Sequence, residues 1–458
     1  MSDDEAAAAR EGEWLWALGL HRPELRAWAM YDWANSAMLT TVVTAVFPIF
    51  FTDVSAAGLP PGIGAERFSI ASTLGMVIVA VLAPLLGTLA DERPIKKVLL
   101  AAFLALGVAS VSLMFFLKRG DWQTAALLFI LANIGANGSF GFYDALLPHV
   151  ARPHEIDRVS TAGYALGYIG GGTMLALNLA WIMKPGWFGL PSGPGLTPDQ
   201  QTLPARLAFL SVGVWWLVFS VPLFLKVPEP PVVPDRNAEG RPARPVAAAF
   251  SRLGGTFREL RRYRNGFLML LAFLIYNDGV GTIIRMATVY GNELKIPQTA
   301  MIASIVIVQF VGIPFAFIFG ALAGRFGVKP SIVLGLAVYI GISVFGYFMK
   351  TSLHFLILAV AVGMVQGGTQ ALSRSLFASM IPPERSGEFF GFFAVVEKFA
   401  GIAGPLLFGL SIRITGQTRD SILTVIPFFL VGGALLMFVD PEEGKREARA
   451  VEAAETQG

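Results

Sequence analysis

The sequence predicts an all-α membrane protein with twelve transmembrane helices in two pseudo-symmetric six-helix bundles. Three observations lead there. Charged residues are 15% of the 458 and hydrophobic residues 54%, whereas soluble globular chains carry about 25% charged residues. The apolar residues are gathered into runs of the roughly 20 residues needed to cross about 30 Å of hydrocarbon. Several strings in the first half return, in the same order, in the second.

The spans fall near 28–51, 68–90, 97–117, 123–149, 159–183 and 207–226 in the first half. In the second they fall near 266–290, 300–323, 330–349, 353–380, 388–412 and 421–439. The acidic start Met1-Ser2-Asp3-Asp4-Glu5 does not fit a cleaved signal peptide. Between the halves lies a polar stretch, proline-rich at Pro228, Pro230, Pro231 and Pro234 and arginine-rich at Arg258, Arg261, Arg262 and Arg264. It reads as an exposed linker. The chain thus divides into an N-terminal segment 1–27, a first bundle 28–226, a linker 227–265, a second bundle 266–440 and a tail 441–458. With the N-terminus placed in the cytoplasm, most of the 35 Lys and Arg residues fall in cytoplasmic segments. The positive-inside rule then puts both termini on the cytoplasmic side of the inner or plasma membrane.

Composition also excludes classes. The chain has no cysteine, so a disulfide framework, Cys-ligated zinc and iron–sulfur centres are out. No cofactor or metal site is expected: His21, His149, His154 and His354 have no H-E-x-x-H spacing. His149 and His154 read as solvated loop histidines. A net charge of +3 points to anionic lipid beside basic loops, not to nucleic acid. The enzyme alternative, an intramembrane aspartyl hydrolase, needs two facing carboxylates. Tyr31-Asp32 supplies one, and Gly141-Phe142-Tyr143-Asp144 makes a poor second.

The repeat is carried by three pairs of strings. Gly87-Thr88-Leu89-Ala90-Asp91 after span 2 returns as Gly320-Ala321-Leu322-Ala323-Gly324 after span 8. Tyr31-Asp32 returns as Tyr276-Asn277, and Gly163 to Gly172 resembles Ala400 to Gly409. An even number of spans between copies implies a parallel repeat about an axis along the membrane normal.

Gly87 to Lys97 resembles the loop 2–3 signature of the major facilitator superfamily, with Pro94 in place of a glycine. Asp91 is the carboxylate of that motif. A carboxylate at a helix end with basic residues beyond it can pin two helices in one state; a plain positive-inside loop is the alternative. Tyr31-Asp32-Trp33-Ala34-Asn35-Ser36-Ala37, Tyr276-Asn277-Asp278-Gly279 with Ile283-Ile284-Arg285, Gln366 to Ser375 and Glu388 to Phe392 resemble segments of the "unknown major facilitator" family. That family is similar to fungal autophagy-linked vacuolar amino-acid effluxers. The resemblance implies the major facilitator fold, secondary active transport and a small polar cargo, amino acids first. In span 5, Gly163, Gly167, Tyr168, Gly171 and Gly172 resemble an antiporter signature, with tyrosine where proline is expected. Close helix packing through small residues explains the same pattern without transport chemistry.

Ionisable residues inside spans cost about 2.5–3.5 kcal/mol each at mid-helix on insertion scales, so they mark a cavity, a pair or a path. They are Asp32, Asp144, Asp278, Arg285, Arg374, Glu397 and Lys398. All but the last two lie on spans 1, 4, 7 and 10, which the resemblance implies line the central cavity. Helical spacing groups Asn133, Asn137, Gly141 and Asp144; Asp278, Thr282 and Arg285; Gln366, Gln370 and Arg374; and Asp32, Asn35 and Ser36. Arg285 and Arg374 suit a bidentate grip on a carboxylate or phosphate. Asn35, Asn137, Asn277, Gln366 and Gln370 are the accompanying substrate-binding candidates. Asp278 and Glu397 are the proton- or ion-coupling candidates. Asp32, Asp91, Asp144 and Lys398 are candidates for gating ion pairs, and internal pairing is the plain alternative for every charge in the set. The expected protein is a monomeric secondary transporter of a small polar solute, working by alternating access in efflux, with a proton as the candidate coupling ion. A non-transporting sensor on the same fold is the alternative function.

Overall fold

In the computed structural model the described residues are 13–60, 63–231, 260–399, 403–415 and 418–457. They form helices joined by short loops, and among them ten helices are long and apolar enough to cross a membrane. Helices α1 to α6 are Pro23–Ser55, Ile63–Glu92, Lys96–Leu113, Trp122–Val150, Ile156–Met183 and Pro198–Lys226. In the second half α7 to α10 are Arg264–Glu293, Gln298–Phe326, Val328–Tyr347 and Ser352–Ser379. Span 11 comprises α11, Ser386–Phe399, and α12, Ala403–Thr415. Span 12 is α13, Arg419–Met437, and the polar helix α14, Pro441–Gln457, follows it.

Apart from span 11, whose described residues form two helices, each predicted span coincides with a helix, and the differences lie at the ends. Span 6 starts earlier than the apolar run because Thr197 and Gln200 form a capping box ahead of it. Span 1 starts at Pro23, whose fixed φ suits a first helical turn. It then departs from α geometry: Met38–Val46 and Phe51–Ser55 are π-helical. π-helical turns are rare and gather at functional sites. Most of the predicted linker, 232–259, lies outside the described residues, as do the side chains of Arg285, Glu397 and Lys398.

The two halves carry the same staple. Lys97, just inside α3, donates from Nζ to the carbonyls of Phe224 and Val227 at the end of α6, at 3.0 and 2.6 Å. Lys329, just inside α9, donates to the carbonyls of Met437 and Val439 at the end of α13, at 2.6 and 2.9 Å. In each half the first turn of the third helix thus satisfies carbonyls that the sixth helix leaves open at its C-terminus.

A cavity sealed at one end by inter-half contacts

A cavity of about 880 Å³ lies between the halves, lined by residues of both. Its wall on α1 carries Asp32, Ser36, Thr40 and Thr44, one turn apart along the helix. Asn137 and Asp144 line it from α4, Tyr164 and Tyr168 from α5, and Gln366 and Gln370 from α10. Thr40 and Thr44 lie in the π-helical stretch, where Thr40 donates to the carbonyls of Ser36 and Gly171 at 2.9 and 3.1 Å. Toward the other end the wall turns apolar, with Phe68, Met349 and Phe355.

Arg374 sits behind the polar end of this cavity and is buried. From α10, in the second half, it reaches three helices of the first. Its Nη1 lies 3.0 Å from Asp144 Oδ1 on α4 and 3.5 Å from Asp32 Oδ2 on α1. Its Nε donates to Ser160 Oγ at 2.9 Å and its Nη2 to the Ser160 carbonyl at 3.0 Å. The guanidinium lies 4.6 Å from the Tyr164 ring centre and 5.1 Å from that of Trp28, within cation–π range. Tyr143 donates to Asp32 at 3.1 Å and stacks on Trp28 with centroids 4.4 Å apart. The span 5 glycines make room for this group. A Cβ on Gly163 would come within 2.9 Å of Asp32 Oδ2, and one on Gly167 within 2.7 Å of Ser36 Oγ. Here that run serves close packing of α5 on α1.

A second group closes the face on which α1 begins and α13 ends, the termini face. Asp91, at the end of α2, pairs with Lys96 Nζ at 2.7 Å. Its carboxylate also accepts from the amides of Gly387 and Glu388, at 2.9 and 2.6 Å. Those are first-turn amides of α11, so a first-half carboxylate caps a second-half helix where its dipole favours negative charge. Lys96 and His149 both meet the Ser386 hydroxyl, at 3.2 and 3.1 Å. His149 is therefore a half-buried member of the inter-half contact rather than the solvated loop residue expected of it, because α4 carries it to the N-terminus of α11. His154, with its side chain 66% exposed, matches the expectation.

Loop 4–5 closes over the same face. Glu155 accepts from the amide of Arg152 at 3.0 Å and meets Arg22 at 2.5 Å and His21 at 3.1 Å. Burial pushes its carboxyl up, but the Arg152 amide, Arg22 and His21 outweigh that and hold it below the usual carboxylate range.

Several expected residues lie elsewhere. Asn35 is buried off the cavity wall, and its amide finds no hydrogen-bond partner among the described residues. On α1 the lining stripe is Asp32, Ser36, Thr40, so Asn35 is turned away from it. Asn277 is buried outside the lining too. Asp278 faces α12, accepting from the Ala403 and Gly404 amides at 3.1 and 3.0 Å. Thr282 shares that contact with α12, and α7 presents Ile283, Ile284 and Tyr290 to the cavity instead. A 3.6-residue period reveals which residues share a face; which way the face turns depends on the neighbour. Sequence reasoning passed over Thr40, Thr44, Gln309 and Ser160. Thr40 and Thr44 interrupt an apolar run, and that was the available signal.

The family model described as "Vacuole effluxer Atg22 like" matches residues 68–449. The uncharacterized MFS-type transporter YxiO of Bacillus subtilis is 36% identical over 91% of this chain and 94% of its own length. Autophagy-related protein 22 of Yarrowia lipolytica is 26% identical over 65% of this chain, which spans about half of that relative, 53%. Among solved structures, the human organic anion transporter MFSD10 (TETRAN) superposes with a TM-score of 0.69 at 13% identity, over 91% of this chain and 99% of that one. The fold is that of the major facilitators. Fold and family together make this a multi-pass membrane transporter, not an enzyme, and the chain belongs to the Atg22-like vacuole effluxer family.

Proposed function

We propose that the protein exports a small polar or zwitterionic solute, with amino acids the first candidates, by rocking its halves about the central cavity. The observation that carries this reading is the double duty of Asp32 and Asp144. They line the cavity and also hold Arg374 of the opposite half. A polar solute that engages them competes with the bridge that keeps the termini face shut, which links occupancy to opening. With both termini cytoplasmic in the cell membrane, as the basic-residue bias favours, this is an outward-facing state.

In this reading Gln366, Gln370 and Asn137 hold the solute, with Arg285 a further candidate. Asp32, Asp91, Asp144 and Arg374 form the gate, with Lys398 a further candidate. Asp278 is suited to coupling, with Glu397 the other candidate. A proton on its carboxylate would convert an oxygen that accepts an α12 amide into a donor, loosening the first turn of α12. The transporter acts as a monomer.

Proteoliposomes loaded with an amino-acid mixture test this. Expected is efflux of a subset of the mixture, faster when a proton gradient opposes the solute movement, and lost in Gln366→Ala with Gln370→Ala. No flux of any member would overturn the solute assignment. Flux indifferent to the gradient would remove the proton from it.

A further inference from the structure

We infer that the π-helical stretch of α1 is a gate element. On reverting to α geometry it turns Phe47 onto the cavity wall in place of Thr44 and Pro48, and so shuts the end remote from the termini face. Its part in transport rests on the rocking of the halves proposed above; its geometry rests on the helix alone.

On α1 the cavity wall carries Asp32, Ser36, Thr40, Thr44 and Pro48, every fourth residue, with Leu39 and Val43 beside the row. An α-helix turns about 100° per residue, so residues four apart drift by about 40° per step. From Ser36 to Pro48 that drift amounts to about 120°, a third of a turn, and one face could not hold the row. It stays on one face because Met38–Val46 is π-helical, with bonds to the fifth residue back and so a smaller turn per residue. The Phe47 amide accordingly donates to the Val42 carbonyl. The Thr44 hydroxyl donates to the Leu39 carbonyl at 2.8 Å, again five residues back. Continued from Ser36 as an α-helix, the same chain puts Val43 and Phe47, seven and eleven residues on, within about 20° of Ser36.

Local contacts hold the wider turn. Pro48 has no N–H, so an α-helix would leave the Thr44 carbonyl without its donor and crowd it against the proline ring. Phe47 is fully buried, stacked on Phe129 with ring centres 4.7 Å apart and 6.3 Å from the Phe68 ring. π-helical turns are rare, so a stretch kept by such contacts against the commoner geometry can be released when the packing around it changes. Phe68 lines the apolar end of the cavity together with Met349 and Phe355 of the second half. A rotation of about a quarter of a turn, one α-helical residue's worth, carries the Phe47 ring to the cavity side, where these residues offer it an apolar seat. A polar solute cannot pass such a seat once it is filled.

The full-length chain has no cysteine, so single cysteines report the wall. In detergent a small methanethiosulfonate reaches the cavity from either end. Thr40→Cys stays on the wall in both geometries and is the standard. In the otherwise unchanged chain Thr44→Cys should react as Thr40→Cys does, and Phe47→Cys should be protected. Pro48→Ala restores the missing donor, and Asp91→Asn frees the termini face. In each of these backgrounds Thr44→Cys should lose reactivity and Phe47→Cys should gain it. Thr44→Cys, at an exposed position, carries the test alone if Phe47→Cys does not fold. An unchanged pattern in Pro48→Ala overturns the π-to-α gate. A change in Pro48→Ala but none in Asp91→Asn overturns its tie to the rocking of the halves. The Pro48→Ala result needs neither solute nor flux, so its failure is distinct from an absence of efflux in proteoliposomes.

Discussion

Two seams join the halves at the termini face, and they are built differently. The seam of α2 on α11 is closed by charge: Asp91 holds Lys96 and two α11 amides. Backbone meets backbone there, since a Cβ on Gly387 would come within 2.8 Å of the Gly87 carbonyl. The seam of α5 on α8 is closed by small residues under side chains. A Cβ on Gly320 would meet Thr161 Oγ1 at 2.6 Å, and one on Gly312 the Tyr168 ring at 2.8 Å. In the repeat, Gly324 occupies the place of Asp91, and the nearest side-chain atom to a Cβ there is an Arg158 nitrogen at 4.0 Å. In the proposed rocking mechanism the charged seam is the latch, paired in one state and parted in the other, and the glycine seam is the bearing on which the halves turn.

The largest expected effect tests what lies between the seams. Arg374→Gln removes the guanidinium that Asp32 and Asp144 share, and breaking a buried pair costs about 3–5 kcal/mol. A marked fall in melting temperature and loss of flux should follow. Asp144→Asn in the same background should restore part of the stability. Unchanged melting would mean that this bridge does not hold the halves together.

Next comes the contrast of glycines. Gly87→Ala sets a Cβ against the Gly387 carbonyl, which cannot move without parting the helices, whereas Gly320→Ala meets a threonine side chain that can rotate. The chain has no cysteine, so a single Gln370→Cys reports cavity access cleanly. Impermeant maleimide should reach it from the termini face in Gly87→Ala and much less in Gly320→Ala. Equal labelling would erase the distinction between latch and bearing.

Charge reversal of roles is a smaller, sharper test. Asp91→Asn loses a charge-assisted bond of about 1.5–3 kcal/mol and should shift labelling in the same direction as Gly87→Ala. Gly324→Asp supplies the absent carboxylate beside Arg158 and should convert the bearing into a second latch, slowing flux without lowering stability.

The smallest effect is at Glu155, which ties loop 4–5 to His21 and Arg22 ahead of α1. Its folded pKa lies below the ordinary value, so its stabilisation is complete above about pH 4.3, the free glutamate value. It is lost as pH falls through the folded value. A melting series from pH 6 to pH 3 should show that loss, and Glu155→Gln should flatten it.

Much of this was legible in the chain. Long apolar runs must become helices in lipid, because the backbone has no water to bond there, and so the twelve spans and their order followed from hydropathy. Asp91 stood out because it falls at the carboxylate position of a string that resembles a known loop signature, with a plain positive-inside loop as the alternative reading. The polar stripes on α4 and α10 also survived folding, with Asn137, Asp144, Gln366 and Gln370 all on the cavity wall. The stripe on α7 did not. Asp278 and Thr282 turn to α12, where the Ala403 and Gly404 amides donate to the Asp278 carboxylate, and nothing local to α7 announces those amides. Arg374 shows the same division. Periodicity placed it on the polar face of its helix, but its partners are far away in sequence, and only the packing of α10 on α1, α4 and α5 made it a bridge between halves. Local chemistry and the solvent dictate which residues form helices and which faces are polar. Which polar face meets which, and therefore which charge is a gate and which a cap, is decided by contacts between distant segments that exist only once the halves have closed on each other.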